Sequence, residues 1–263
     1  MLRILSHFAM GQCPKFIAEL SGNHGGSIDS AFAHIDAAAA AGADFVKIQT
    51  YKPETITINS NLPDFLINDS KSLWYGRTLW DVYTEAHTPW DWHQDLFSYA
   101  RQSGVTLFSS PFDPTAVELL EQCGCPIYKV ASFEITDTTL LKVIGSTAKP
   151  VIVSTGMATI SEIDLAISTL TSAGASDITL LKCTSSYPAP VADANLKTIP
   201  HLSQVFNLPC GLSDHCLQPE VTIAAVALGA PVVEKHFKLS ANKIVLMLHS
   251  LWIHILLGPL YFL

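Results

Sequence analysis

The chain has 263 residues, with 15 Lys+Arg against 23 Asp+Glu and a formal charge of −8 at pH 7. That balance excludes a general nucleic-acid binder, which needs a broad basic face to displace counterions. A hydrophobic share of 49% against only 14% charged residues excludes a mainly disordered chain, and 14 Gly and 6 Cys over this length exclude collagen-like and disulfide-stapled scaffolds. One large α/β domain or two small ones remain.

In chain order, MLRILSHFAMGQCP at 1–14 is too short and too broken for a secretory core. The cysteines, Cys13, Cys123, Cys125, Cys183, Cys210 and Cys216, form no CxxC pair, so reduced, mostly buried thiols and a cytoplasmic setting are expected. Eight short β-rich runs follow: FIAEL (16–20), FVKIQTY (45–51), TLFSSPF (106–112), IYKVAS (127–132), PVIVSTG (150–156), ITLLKCTS (178–185), PCGLSDH (209–215) and PVVEKHF (231–237). Helical patterns lie between them at 28–41, 93–103, 114–122, 138–147, 160–172 and 218–229. Many of these stretches close on a small-residue cluster such as AGAD (41–44) or SGVT (103–106), where Gly supplies the left-handed C′ conformation. Consecutive βα units of this kind predict parallel strands, and eight of them predict a closed (β/α)8 TIM barrel. No GxGxxG or Walker pattern supports an open nucleotide-binding sheet.

Two stretches break the rhythm. Residues 52–92, with Trp74, Trp80, Trp90 and Trp92, read as a structureless excursion that serves as a lid or binding loop, with aromatic packing across the barrel mouth as the alternative. After residue 240 the chain reads ANKIVLMLHSLWIHILLGPLYFL, too uniformly apolar for an amphipathic eighth barrel helix. The boundaries expected are a barrel domain over 1–240 and an aberrant hydrophobic tail over 241–263. The tail reads as a bilayer anchor, an abnormal helix on the barrel flank, or a segment that does not pack natively.

Polar residues concentrate at one end of the strands: Glu19, Lys47, Gln49, Ser110, Lys129, Ser132, Ser154, Ser185, Ser213, His215, Glu234 and His236 all lie at or just past the C-terminal ends of their runs. In a barrel of this type that end carries the active site. His215 and His236 end neighbouring strands and can share one divalent ion. Lys47 and Lys129 can converge on an anion, with Ser132, Ser154 and Ser213 as further donors, since an inward lysine is costly without a counter-charge.

The ordered motifs PKFIAELSGNHGG, VKIQTY, FSSPFD, YKVASFE, VSTGM, KCTSSYPAP, GLSDH and EKHF resemble the sialic acid synthase family. LWYGRTLWDVYTEAHTPWDWH and KCTSSYPAP resemble its pseudaminic acid branch. The resemblance implies metal-assisted condensation of phosphoenolpyruvate with an N-acetylated amino-sugar aldehyde, 2,4-diacetamido-2,4,6-trideoxy-altrose, giving pseudaminic acid and phosphate. It places the general acid/base on Glu19 and the ligands of a divalent metal, Mn2+ or Mg2+, on His215 and His236. Phosphoenolpyruvate contacts fall on Lys47, Ser110, Lys129, Ser132, Ser154, Ser185 and Ser213, and sugar contacts on Gln49, Glu134 and Tyr187. Ser110 and Ser185 stand where the N-acetylneuraminate branch is expected to carry Thr and Asn. The family is a homodimer whose chain continues past EKHF into a segment like GGVDxxxSLEP and a small antifreeze-like domain. A one-base shift permits a similar peptide over Val245–His254, so an out-of-frame tail and weak or absent turnover are expected. The alternatives are an N-acetylneuraminate synthase acting on N-acetylmannosamine and an inactive or membrane-tethered sugar-binding barrel.

Overall fold

The computed structural model describes residues 13–68, 70, 72 and 74–239. Its eight strands are β1 (Lys15–Glu19), β2 (Phe45–Thr50), β3 (Thr106–Pro111), β4 (Tyr128–Val130), β5 (Val151–Ser154), β6 (Ile178–Cys183), β7 (Cys210–Asp214) and β8 (Val232–His236). All pair in parallel with their sequence neighbours, and β1 pairs with β8, so the sheet closes into a barrel. Every strand matches a run read from the sequence. The strands are covered on their outer face by helices, which is why they read as near-continuous apolar runs rather than alternating ones.

The helices are α1 (Ile28–Ala40), α2 (Pro53–Ile56), α3 (Leu79–Ala86), α4 (His93–Gln102), α5 (Pro114–Gln122), α6 (Thr138–Ser146), α7 (Ile160–Ala173), α8 (Thr198–Phe206) and α9 (Pro219–Ala227). Their starts are chemically marked. The Asp113 carboxylate accepts from the backbone N–H groups of Thr115 and Ala116 just before Pro114, and Thr159 and Glu162 form a reciprocal capping box. Gly42 and Gly104, at φ 83° and 76°, let α1 and α4 turn into the next strand without a Cβ clash. Leu120, Leu140, Ile144, Ala166, Leu170 and Ala225 press against the sheet and are fully buried.

Residues 52–92 are not structureless. They contain α2, α3, 3-10 turns at Pro63–Phe65 and Trp90–Trp92, and an antiparallel bridge between Leu66 and Thr78. Trp90 packs on this segment's own base: its indole N–H donates to the Tyr51 carbonyl at 3.3 Å, and the Lys52 ammonium lies 4.1 Å from its ring centre. Helix α8 is a second departure, absent from the sequence reading. The expected tail at 241–263 lies outside the described residues, and among those described no helix is long and apolar enough to cross a membrane.

Candidate active site

Strand register brings the charged residues together. Glu19 sits opposite Lys47 on one side and His236 on the other, Gln49 opposite Ser110, and Ser213 opposite Glu234. Alternation then puts Lys47 with Gln49, Ser213 with His215 and Glu234 with His236 on the inner face. The result is a cavity of about 60 Å³ at the C-terminal mouth, lined by Glu19, Lys47, Gln49, Ser110, Lys129, Ser132, Ser154, Ser185, Tyr187, Ser213, His215 and His236, with Glu234, Cys183, Ala131 and Phe133. Glu134 alone among the predicted site residues does not line it. It sits on the 3-10 turn after β4, where burial pushes its carboxyl up to about 7 despite the Lys129 charge. No described residue of 52–92 reaches the cavity, so the excursion is not a lid over it in this structure.

A chain of alternating charge crosses the cavity floor. Lys47 Nζ lies 2.8 Å from Glu19 Oε2 and 3.5 Å from Glu234 Oε1, and Lys129 Nζ lies 3.4 Å from that same Glu234 oxygen. The Ser213 hydroxyl donates to it at 3.2 Å, Lys47 donates to Ser110 Oγ at 3.3 Å, and Gln49 Nε2 donates to Glu19 Oε1 at 3.0 Å. Burial works against the Lys47 ammonium, but Glu19 and Glu234 outweigh it and hold its pKa above the usual range. Lys129 has fewer counter-charges, so burial holds it below. Burial raises the Glu19 carboxyl, whereas for Glu234 the two ammoniums overcome burial and hold it at about 2. Two lysines and two carboxylates thus share the floor, with the Glu19 carboxyl raised and that of Glu234 lowered, and the ammoniums make it a local anion site within an acidic protein.

The serines complete a cradle. The Gly156 backbone N–H donates to Ser132 Oγ at 3.1 Å, and a Cβ on Gly156 would stand 2.2 Å from Ser185 Oγ and 2.7 Å from Ser132 Oγ. Ser154 Oγ is buried without a hydrogen-bond partner, as are Glu234 Oε2 and His236 Nδ1. Orphaned polar atoms are rare in folded interiors, and three around one cavity point to a ligand that satisfies them.

His215 and His236 lie side by side with ring centres 5.3 Å apart, and the half-exposed Tyr187 ring sits 4.1 Å from His215, tilted by 34°. His215 Nδ1 donates to the Thr184 carbonyl at 2.8 Å, which leaves the lone pair on Nε2. Burial and the charges of His215 and Lys47 hold His236 neutral, well below the usual imidazole range. Two neighbouring imidazoles, one oriented by the Thr184 carbonyl and the other with an orphaned nitrogen, fit a divalent ion. Among the described residues no group of three His, Cys, Asp or Glu side chains joins them, so the protein would supply two positions and leave the others to oxygen ligands.

Residues 34–245 match the NeuB family. The chain belongs to that family. It is 45% identical over 233 residues to a pseudaminic acid synthase of Helicobacter pylori, covering 89% of this chain and 68% of that protein. The identity to a pseudaminic acid synthase of Campylobacter jejuni is also 45%, over 86% of this chain and 65% of that one. The chain thus spans about two thirds of the length of these curated relatives. Among solved structures, the N-acetylneuraminic acid synthetase of Leptospira borgpetersenii, in complex with citrate, superposes with a TM-score of 0.82 at 30% identity, over 95% of this chain and 83% of that one. NeuB membership agrees with the eight ordered motifs.

The sequence reading gave no role to Glu234 or Cys183. Glu234 was legible as the residue two before His236 on one strand face, and its task as the bridge between two lysines needed the barrel to close. Cys183 ends β6, 3.9 Å from both Ser185 Oγ and His215 Nδ1.

Proposed function

We propose that this NeuB-family chain condenses phosphoenolpyruvate with 2,4-diacetamido-2,4,6-trideoxy-altrose to give pseudaminic acid and phosphate. The observation that carries the reading is the cavity itself. A floor of two lysines bridged by Glu234, ringed by serine hydroxyls, stands beside two neighbouring imidazoles and the raised Glu19 carboxyl.

Lys47 and Lys129 hold the phosphate and carboxylate of phosphoenolpyruvate, and Ser110, Ser132, Ser154, Ser185 and Ser213 donate to their oxygens. Glu234 keeps the two ammoniums apart and charged before the anion arrives. His215 and His236 would hold a divalent ion, Mn2+ or Mg2+, whose chemistry there is Lewis-acid polarisation of the sugar aldehyde oxygen. Gln49, Tyr187 and, from the rim, Glu134 position the acetamido sugar. Carbon 3 of phosphoenolpyruvate attacks the aldehyde carbon, and the carbonyl oxygen takes the Glu19 proton as the bond forms. Positive charge left at carbon 2 is quenched by water, which returns a proton to the Glu19 carboxylate. The tetrahedral adduct then collapses with cleavage of the carbon–oxygen bond, and inorganic phosphate leaves. The free thiols support a reducing cytoplasmic setting, and a homodimer belongs to the same proposal.

The test is phosphate release with the trideoxy sugar and with N-acetylmannosamine, each with and without chelator. Release with the first sugar only, abolished by chelator and restored by Mn2+ or Mg2+, is expected, and Glu19→Gln should lower kcat by about 10²- to 10⁴-fold. Release favouring N-acetylmannosamine moves the chain to the neuraminate branch, and binding of sugar without release leaves only a sugar-binding barrel.

A further inference from the structure

Directly behind the two imidazoles, on the outer face of the barrel, lies a buried ion pair that the chemistry above does not use. Lys235 Nζ lies 2.6 Å from Asp214 Oδ2, with side chains 4% and 1% exposed. The two residues are register partners on β8 and β7, immediately before His236 and His215. The same ammonium donates to the Cys216 carbonyl at 2.7 Å, and the Cys216 N–H donates to Asp214 Oδ1 at 2.8 Å. Thr222 on α9 closes the cluster by donating to Asp214 Oδ2 at 2.6 Å. One lysine therefore grips the residues on both sides of His215, while its own chain neighbour is His236.

We propose that the Asp214–Lys235 pair is a positioning device for the divalent-ion site, fixing the separation and tilt of the His215 and His236 rings by tying the turn at 214–216 to β8. The inference rests on the reading of those two histidines as ligands. Its physical basis is a difference between stability and geometry. A buried ion pair is a weak source of stability, because apolar residues of similar volume often replace it without loss. It is a strong source of direction, because charge-assisted hydrogen bonds are short and oriented where apolar contacts can slide. Here that direction is spent on the backbone from which both imidazoles project. The protein offers the ion no third His, Cys, Asp or Glu among the described residues, so the ring-to-ring geometry carries the whole protein contribution to coordination.

Mn2+ is the probe, titrated into the full chain and followed by the electron paramagnetic resonance of the free ion. Spin-echo modulation of the bound ion reports coordinating imidazole nitrogens. His236→Ala is the reference and should abolish tight binding. The double variant Asp214→Asn with Lys235→Met, neutral and nearly isosteric, should melt close to the parent. It should bind Mn2+ about 10- to 100-fold more weakly, with altered nitrogen couplings. Thr222→Val, which removes only the hydroxyl bond to Asp214, should shift affinity and couplings in the same direction by a smaller factor. A folded double variant, or Thr222→Val should the double variant not fold, that keeps parental affinity and parental couplings overturns the positioning role. Unchanged Mn2+ binding in His236→Ala instead overturns the ligand reading on which the role depends.

Discussion

Gly156 occupies a position where even a methyl group has no room. A Cβ there would overlap Ser185 Oγ at 2.2 Å and Ser132 Oγ at 2.7 Å, and both hydroxyls line the anion cradle. Gly156→Ala must displace these hydroxyls, so on the proposed reading we expect KM for phosphoenolpyruvate to rise at least about tenfold, the equivalent of losing one good hydrogen bond. The melting temperature should move little, because the displaced atoms border a cavity rather than the packed core. Glu134 gives a second residue-scale expectation. Burial lifts its folded pKa to about 7 against an ordinary 4.5, so the folded state binds the extra proton and stability falls as pH rises from 4.5 to 7. Glu134→Gln abolishes that penalty. It should melt near the parent at pH 5 and above it at pH 8, by up to about 3 kcal/mol in stability.

At the scale of the element, the segment between β2 and α4 is anchored at its two ends rather than over the cavity. Trp90 bonds the Tyr51 carbonyl and receives the Lys52 ammonium on its face. His93 Nδ1 donates to the Pro89 carbonyl at 3.0 Å while its Nε2 accepts from Thr50 Oγ1 at 2.8 Å. Trp90→Ala removes the indole bond and the cation contact together, about 1–2 kcal/mol. Hydrogen exchange should accelerate over 79–92 and stay unchanged in β4–β6. Unaltered protection over 79–92 would show that the anchor lies elsewhere.

This segment and α8 also mark where the sequence stopped being readable. The eight strands stood out because parallel strands buried on both faces are continuous apolar runs. Most helices stood out through their spacing between the runs and the small-residue clusters that close them, such as AGAD at 41–44 and SGVT at 103–106. Helix α8 has no side-chain cap at Lys197 and carries Pro200 in its first turn, where a proline is tolerated structurally but reads as a break. Helix α3 buries no residue, so the core-facing stripe that betrays a helix is absent. The candidate site was legible in its residues, because Lys47, Lys129, His215 and His236 lie at strand ends. Its electrostatics were not. That Glu234 bridges both lysines depends on β4, β2 and β8 meeting across a closed cylinder, which no local pattern encodes.

For the whole molecule, acid tolerance follows from which buried groups must change charge. Burial holds both His24 and His93 at about 4, below the ordinary 6.5, so each is neutral when folded. The unfolded chain therefore binds more protons between pH 6.5 and 4, and stability is full above 6.5 and drains away as pH falls, by about 3 kcal/mol for each group. His34 and His236, also held down by burial, add to the loss. Glu134 and Glu19, held up, oppose it, because protonating them relieves a penalty. Glu234, held at about 2, enters only below the ordinary carboxylate range, where its contribution is lost from about pH 4.5 downward. Four imidazoles against two carboxyls make the net slope negative on acidification, so urea midpoints should fall between pH 6.5 and 4.5. Two variants separate the opposing contributions. His93→Gln removes one imidazole and should flatten that fall, whatever its effect on the midpoint at pH 7. Glu134→Gln removes one relieving carboxyl and should steepen it. Parallel curves for all three proteins would mean that neither side chain changes its proton occupancy on folding.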